Sequence, residues 1–124
     1  MGRSPILVLN ISIRSDDGGP MNGVAIVVRH ILRTGHEESF DALTSHTLEA
    51  ISTLEPDTYV YAVHTVAEQP LQRIFYELYR DRAAFEAHEA YPHMQKFLAE
   101  RLAHIESVEV EFLDVTAVHT APTS

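Results

Sequence analysis

Eight histidines, five tyrosines and eighteen carboxylates supply the acid–base chemistry of this 124-residue chain, which has no cysteine and no tryptophan. Histidine titrates nearest neutral pH, so it is the first candidate for moving a proton. His88 stands three residues after Phe85 and four after Ala84, so on a helix it projects from an apolar stripe. A neutral imidazole there can take a phenolic proton. The alternative is a core histidine that bonds a backbone carbonyl and fixes its helix on a sheet. Phe75, Glu77 and Tyr79 alternate, so on a strand they share one face. If that face looks towards the helices, they line the same cavity as His88. Glu77 then orients His88 or acts as a base, or else it pairs with Arg29 or Arg101, the reading the sequence favours. Tyr79 suits a pocket wall with a polar tip. Tyr61, His64 and His30 stand on neighbouring strands within reach, although strand period alone does not say which face is which. Tyr91 and His93 flank Pro92 and suit a rim.

Metal chemistry finds little support. His88 and His93 are five apart across a proline and share no helical face. His36-Glu37-Glu38-Ser39-Phe40 lacks the second histidine of a zinc-protease helix. The missing cysteines exclude disulfides, iron–sulfur clusters, thiolate zinc sites and a cysteine nucleophile. No metal site is expected. Gly18-Gly19 to Gly23 has no phosphate-loop lysine and reads as a turn or linker.

The elements that must position these groups can be read along the chain. Residues 6–13 alternate loosely, and Ser15 to Pro20 has a linker's composition, so residues 1–22 read as an N-terminal extension. Val24 to Arg33 suits a strand that Gly35 ends. Phe40, Leu43, Thr47, Ala50, Ile51 and Leu54 make one face of a helix over 37–54. After Pro56-Asp57, Thr58 to Val66 reads as a second strand. Glu68-Gln69-Pro70 reads as a turn and Gln72 to Arg80 as a third strand. Asp81 is placed to cap a helix over 82–91, and Pro92 to begin the next. Met94, Phe97, Leu98, Leu102 and Ile105 form that helix's apolar face. Val108 to Val118 reads as a fourth strand and residues 120–124 as a tail.

The order β-α-β-β-α-β implies an α+β, ferredoxin-like domain over residues 23–119, with both helices on one face of an antiparallel sheet. Such a sheet should alternate apolar with polar residues. Here both faces are apolar: Val24, Ile26 and Val28 oppose Ala25 and Val27, and Tyr59, Tyr61 and Val63 oppose Val60 and Ala62. Helices cover only one face, so a second copy is expected over the other, as a homodimer.

The net charge is −9 and Lys96 is the sole lysine. Without a basic stripe, binding to nucleic acid or an anionic membrane is not expected. No segment has the ~18 apolar residues of a membrane span, and Asn10 and Ser12 break the only signal-like run. A cytoplasmic location is the default expectation.

The stretch Arg73-Ile74-Phe75-Tyr76-Glu77-Leu78-Tyr79-Arg80-Asp81-Arg82-Ala83-Ala84-Phe85-Glu86-Ala87-His88 resembles the antibiotic biosynthesis monooxygenase domains. Their pattern is similar to Phe-x-x-Glu-x-Trp-x-Asp-x-x-Ala-Phe-x-x-His. Phe75 or Ile74, Glu77, Asp81, Ala84-Phe85 and His88 match it. Pro92-His93-Met94 resembles the family's Pro-His-Phe helix start. Gly35 with Phe40, and Glu55 with Tyr61, resemble two further motifs, the likeness running from about Val24 to Val118.

The resemblance implies a dimeric α+β barrel. It also implies oxidation of a small phenolic, quinol or anthrone aromatic by O2, with no flavin or metal cofactor. The protein's part would be binding, deprotonation and shielding from water. On this reading His88 is the catalytic base, and Tyr79, Glu77, Phe75, Tyr61, His64 and Tyr91 bind substrate. Tyr79 stands where the family has tryptophan, and Asp57 where it has glycine. Haem-degrading relatives use an asparagine on the first strand and a tryptophan, neither matched here. Two alternatives stay open: a non-catalytic dimeric barrel holding a small hydrophobic ligand as a stress or regulatory module, and an isomerase of the same architecture.

Overall fold

The computed structural model describes residues 23–119. The readings of residues 1–22 and 120–124 lie outside them. Four strands and three helices follow in order: β1 Val24–Leu32, α1 Glu37–Leu54, β2 Thr58–Val66, β3 Gln69–Tyr79, α2 Arg82–Ala90, α3 Pro92–Glu100 and β4 Ile105–Asp114. A short 3-10 turn, Arg101–Ala103, joins α3 to β4. The sheet is antiparallel, with strand order β2-β3-β1-β4. This is the expected ferredoxin-like α+β arrangement. No helix among the described residues is long and apolar enough to cross a membrane.

Alternation decides what each strand offers the core. Ile26, Val28, His30 and Leu32 of β1 are buried, as are Phe75, Glu77 and Tyr79 of β3. Phe40 and Ile51 of α1, Ala84 and Phe85 of α2, and Met94 and Phe97 of α3 pack against them. The rings of Phe40, Phe75 and Phe97 lie pairwise 6.1 Å apart, within aromatic contact. Arg73 ties β3 to α1 by a bidentate contact, its Nε and Nη2 donating to the two Asp41 oxygens at 2.8 and 3.0 Å. Asp81 caps α2 as the sequence suggested, its side chain accepting from the Ala84 N–H at 2.9 Å.

Two strands differ by several residues from the sequence reading. The β2–β3 hairpin turns on Ala67-Glu68, with Glu68 at φ 64°, so Gln69 and Pro70 belong to β3. Pro70 is tolerated because the β1–β3 pairing reaches only to Gln72, so its missing N–H breaks no bond of that ladder. β4 begins at Ile105, which is 3% exposed, and ends at Asp114. Ile105 and Leu102 therefore do not continue the apolar face of α3. The chain tightens into the 3-10 turn first, leaving Leu102 36% exposed.

The second sheet face carries no helix. By register it presents Val27 and Ile31 of β1, Ile74, Tyr76 and Leu78 of β3, and Val60 and Ala62 of β2. These side chains are half-buried rather than packed into the core.

Candidate active site

The chemistry collects between the helix-covered face of the sheet and the α2–α3 segment. His88 lies near the C-terminal end of α2 and is 1% exposed. Its ring sits 4.9 Å from Tyr79 and 5.6 Å from Tyr61. Its Nδ1 bonds Glu55 Oε1 at 2.7 Å. Glu55 is the residue that closes α1, and its side chain is only 2% exposed. Thr58 Oγ1 also donates to Oε1 at 2.7 Å, and His93 Nε2 bonds Oε2. Burial pushes the Glu55 carboxyl up, but the hydrogen bonds from His88, Thr58 and His93 outweigh it and hold it below its usual value. An ionised carboxylate only accepts, so the proton of the His88–Glu55 bond sits on Nδ1.

Glu77 faces the same space from β3. The Tyr79 hydroxyl donates to its Oε1 at 2.5 Å. Burial lifts the Glu77 carboxyl to about 7, opposed by the nearby His88 imidazole. Burial and the Glu77 charge push the Tyr79 and Tyr61 hydroxyls well above the ordinary phenol value, so both stay protonated donors. His30 is fully buried, and its Nε2 accepts from Arg101 Nη1 at 2.9 Å. Burial and the Arg101 charge hold this imidazole well below its usual value, which keeps it neutral. Glu89 on α2 has one oxygen buried without a hydrogen-bond partner, and burial raises its carboxyl.

His30, Tyr61, Phe75, Glu77, His88, Glu89 and Arg101 line one cavity, closed on the helix side by Met94, Phe97 and Leu98. Its volume is about 20 Å³, room for roughly one water molecule. The structure thus brings His88, Glu77, Phe75 and Tyr61 together, with Tyr79 behind them on Glu77. His64 is not brought in. It pairs with Ile74 on the helix-free face, and its Nδ1 meets the Ile74 carbonyl oxygen at 2.8 Å. Tyr91 stands at the α2–α3 break, its hydroxyl donating to the Leu54 carbonyl at 3.0 Å and its ring stacked on His93. Arg29, one of the partners considered for Glu77, bonds Gln72 instead. Among the described residues no group of three or more His, Asp or Glu is arranged to hold a metal ion.

Glu55 and Glu89 were not among the sequence's site candidates, and Arg101 was considered only as a structural partner for Glu77. Glu55 carried a signal beyond the motif that resembles the family's. A carboxylate at a helix C-terminus opposes the helix dipole, so its place there needs another cause. Arg101 is buried in a turn that helical periodicity ran straight through.

Comparison with known proteins bears on the family and the fold. The antibiotic biosynthesis monooxygenase family model matches residues 24–100, from the first residue of β1 to the last of α3. Among solved structures, a Bacteroides thetaiotaomicron protein bearing this family's name is 25% identical with a TM-score of 0.71, the match covering 86% of this chain and 99% of that one. A Pseudomonas aeruginosa protein is 23% identical, with a TM-score of 0.71 over 80% of this chain and 100% of that one. A Mycobacterium tuberculosis protein is 21% identical, with a TM-score of 0.72 over 79% and 99%. No curated protein matches the chain. The matched span is more than half of the sequence and holds Glu55, Glu77, His88 and His93, so the chain belongs to the antibiotic biosynthesis monooxygenase family.

Proposed function

We propose that this protein is a cofactor-free monooxygenase that oxidises a small phenolic or quinol-type aromatic with O2, working as a homodimer. The observation that carries the reading is a buried imidazole, His88, held on a carboxylate at the wall of a cavity lined by tyrosine and arginine. In this account His88 Nε2 accepts the substrate's acidic proton. Arg101 places a positive charge at the cavity wall, where the substrate anion forms. The anion gives electrons to O2, a carbon–oxygen bond forms, and the resulting hydroperoxide loses water. One oxygen atom stays on the ring, the other leaves as water, and the substrate supplies the electrons.

The apolar helix-free face supports the dimer, since a second copy laid over it removes Val27, Tyr76 and Leu78 from water. A volume of about 20 Å³ does not hold an aromatic ring, so binding such a substrate requires the cavity to widen. The same volume favours a second reading, a non-catalytic barrel whose buried polar cluster is structural. Oxygen uptake separates the two, measured with a panel of hydroquinones and anthrones in the presence of a chelator. The oxygenase reading expects uptake with at least one substrate and a loss of about 10²-fold or more in His88→Ala. No uptake that depends on His88 with any of them supports the structural reading instead.

A further inference from the structure

We infer that Glu55 is the positioning residue of this site: it holds His88 with its proton on Nδ1, so that the Nε2 lone pair is the one offered to the cavity. The inference rests on His88 being the base of the proposed reaction. Two histidines line the cavity, and their second nitrogens differ. The Nε2 of His30 spends its lone pair on Arg101, so this ring's proton is on its Nδ1, which is buried without a hydrogen-bond partner. Among the described residues the Nε2 of His88 makes no hydrogen bond, while its Nδ1 is held by Glu55 at 2.7 Å. Glu77, the carboxylate that the sequence offered as an orienter, instead accepts the Tyr79 hydroxyl.

The Glu55 carboxylate is itself immobilised. Thr58 from β2 takes part of Oε1, and His93 from the first turn of α3 takes Oε2. Three donors from three elements converge on one buried anion, so it cannot rotate away from His88. The arrangement stands at the end of α1, where the helix dipole disfavours an anion. A carboxylate kept there, dry and fully bonded, sets an imidazole's tautomer as the aspartate of a serine-protease triad does. His93 and His88 lie on either side of the Tyr91-Pro92 break. Glu55 thus joins the end of α1 to both helices that flank this break.

The test is nitrogen-15 histidine NMR of the full chain, correlating ring nitrogens with ring protons. The wild type is expected to show neutral His88 as the Nδ1–H tautomer, favoured about tenfold or more by its charge-assisted bond. In Glu55→Gln that preference is expected to fall several-fold, with an unchanged amide spectrum elsewhere. His93→Gln, which leaves Glu55 charged, should retain the Nδ1–H form. An Nε2–H tautomer in the wild type overturns the proposal, whether or not the Glu55 variant folds. So does the same tautomer ratio in wild type and Glu55→Gln. If the Nδ1–H form holds but no aromatic is oxidised, the oxygenase reading fails and the positioning role stands.

Discussion

At the scale of single residues, two buried carboxylates are shifted in opposite directions. Glu55 has three hydrogen-bond donors and stays below its usual value, whereas Glu77 has one and is lifted by burial to about 7. The Glu77 shift has a consequence for stability. Its folded value lies above the 4.5 of the exposed group, so the folded state binds more protons between the two, and stability falls as pH rises through that window. Glu77→Gln keeps an acceptor for Tyr79 and removes the buried charge. Urea unfolding should find the variant close to wild type at pH 4.5 and more stable by about 2–3 kcal/mol at pH 8. The sequence disclosed much of this site, because strand period places Phe75, Glu77 and Tyr79 on one face and helix period aims His88 at it. It could not place His64, because alternation sets His64 opposite Tyr61 but does not say which of the two faces meets the helices. It also could not pair Glu55 with His88, since those residues meet only across α1 and α2.

At the scale of elements, α1 and β2 have the bounds their patterns suggested, because Gly35, the Pro56-Asp57 break and β-branched runs punctuate them clearly. The β3 and β4 starts were less legible. A proline just outside the β1 pairing and a 3-10 turn between helix and strand leave no periodic mark. Asp81 anchors α2 by a capping bond, and Asp81→Ala should cost about 1 kcal/mol in thermal or urea unfolding. The α3 helix is pinned to the end of α1 by His93 on Glu55 and by Tyr91 on the Leu54 carbonyl. Removing one pin should loosen α3 and spare the sheet. Hydrogen exchange of His93→Ala should show roughly tenfold faster exchange in residues 92–100, with β1 and β3 unchanged. Equal protection in variant and wild type would mean that packing of Met94 and Phe97, not the polar strap, holds α3 closed.

At the scale of the whole molecule, the uncovered sheet face argues that the working unit is larger than one chain. Val27 pairs with Tyr76 near the middle of that face. Light scattering should give about twice the 13.9 kDa chain mass for the wild type at micromolar concentration, and the single mass for Val27→Glu. A wild-type monomer would leave the apolar face to another partner. The most direct measurement is the absorption spectrum, under anaerobic conditions, of a phenol bound at a pH below its own pKa. The account predicts a phenolate band with the wild type and a neutral phenol with His88→Gln. A neutral phenol bound to both, or phenolate bound to both, would contradict it.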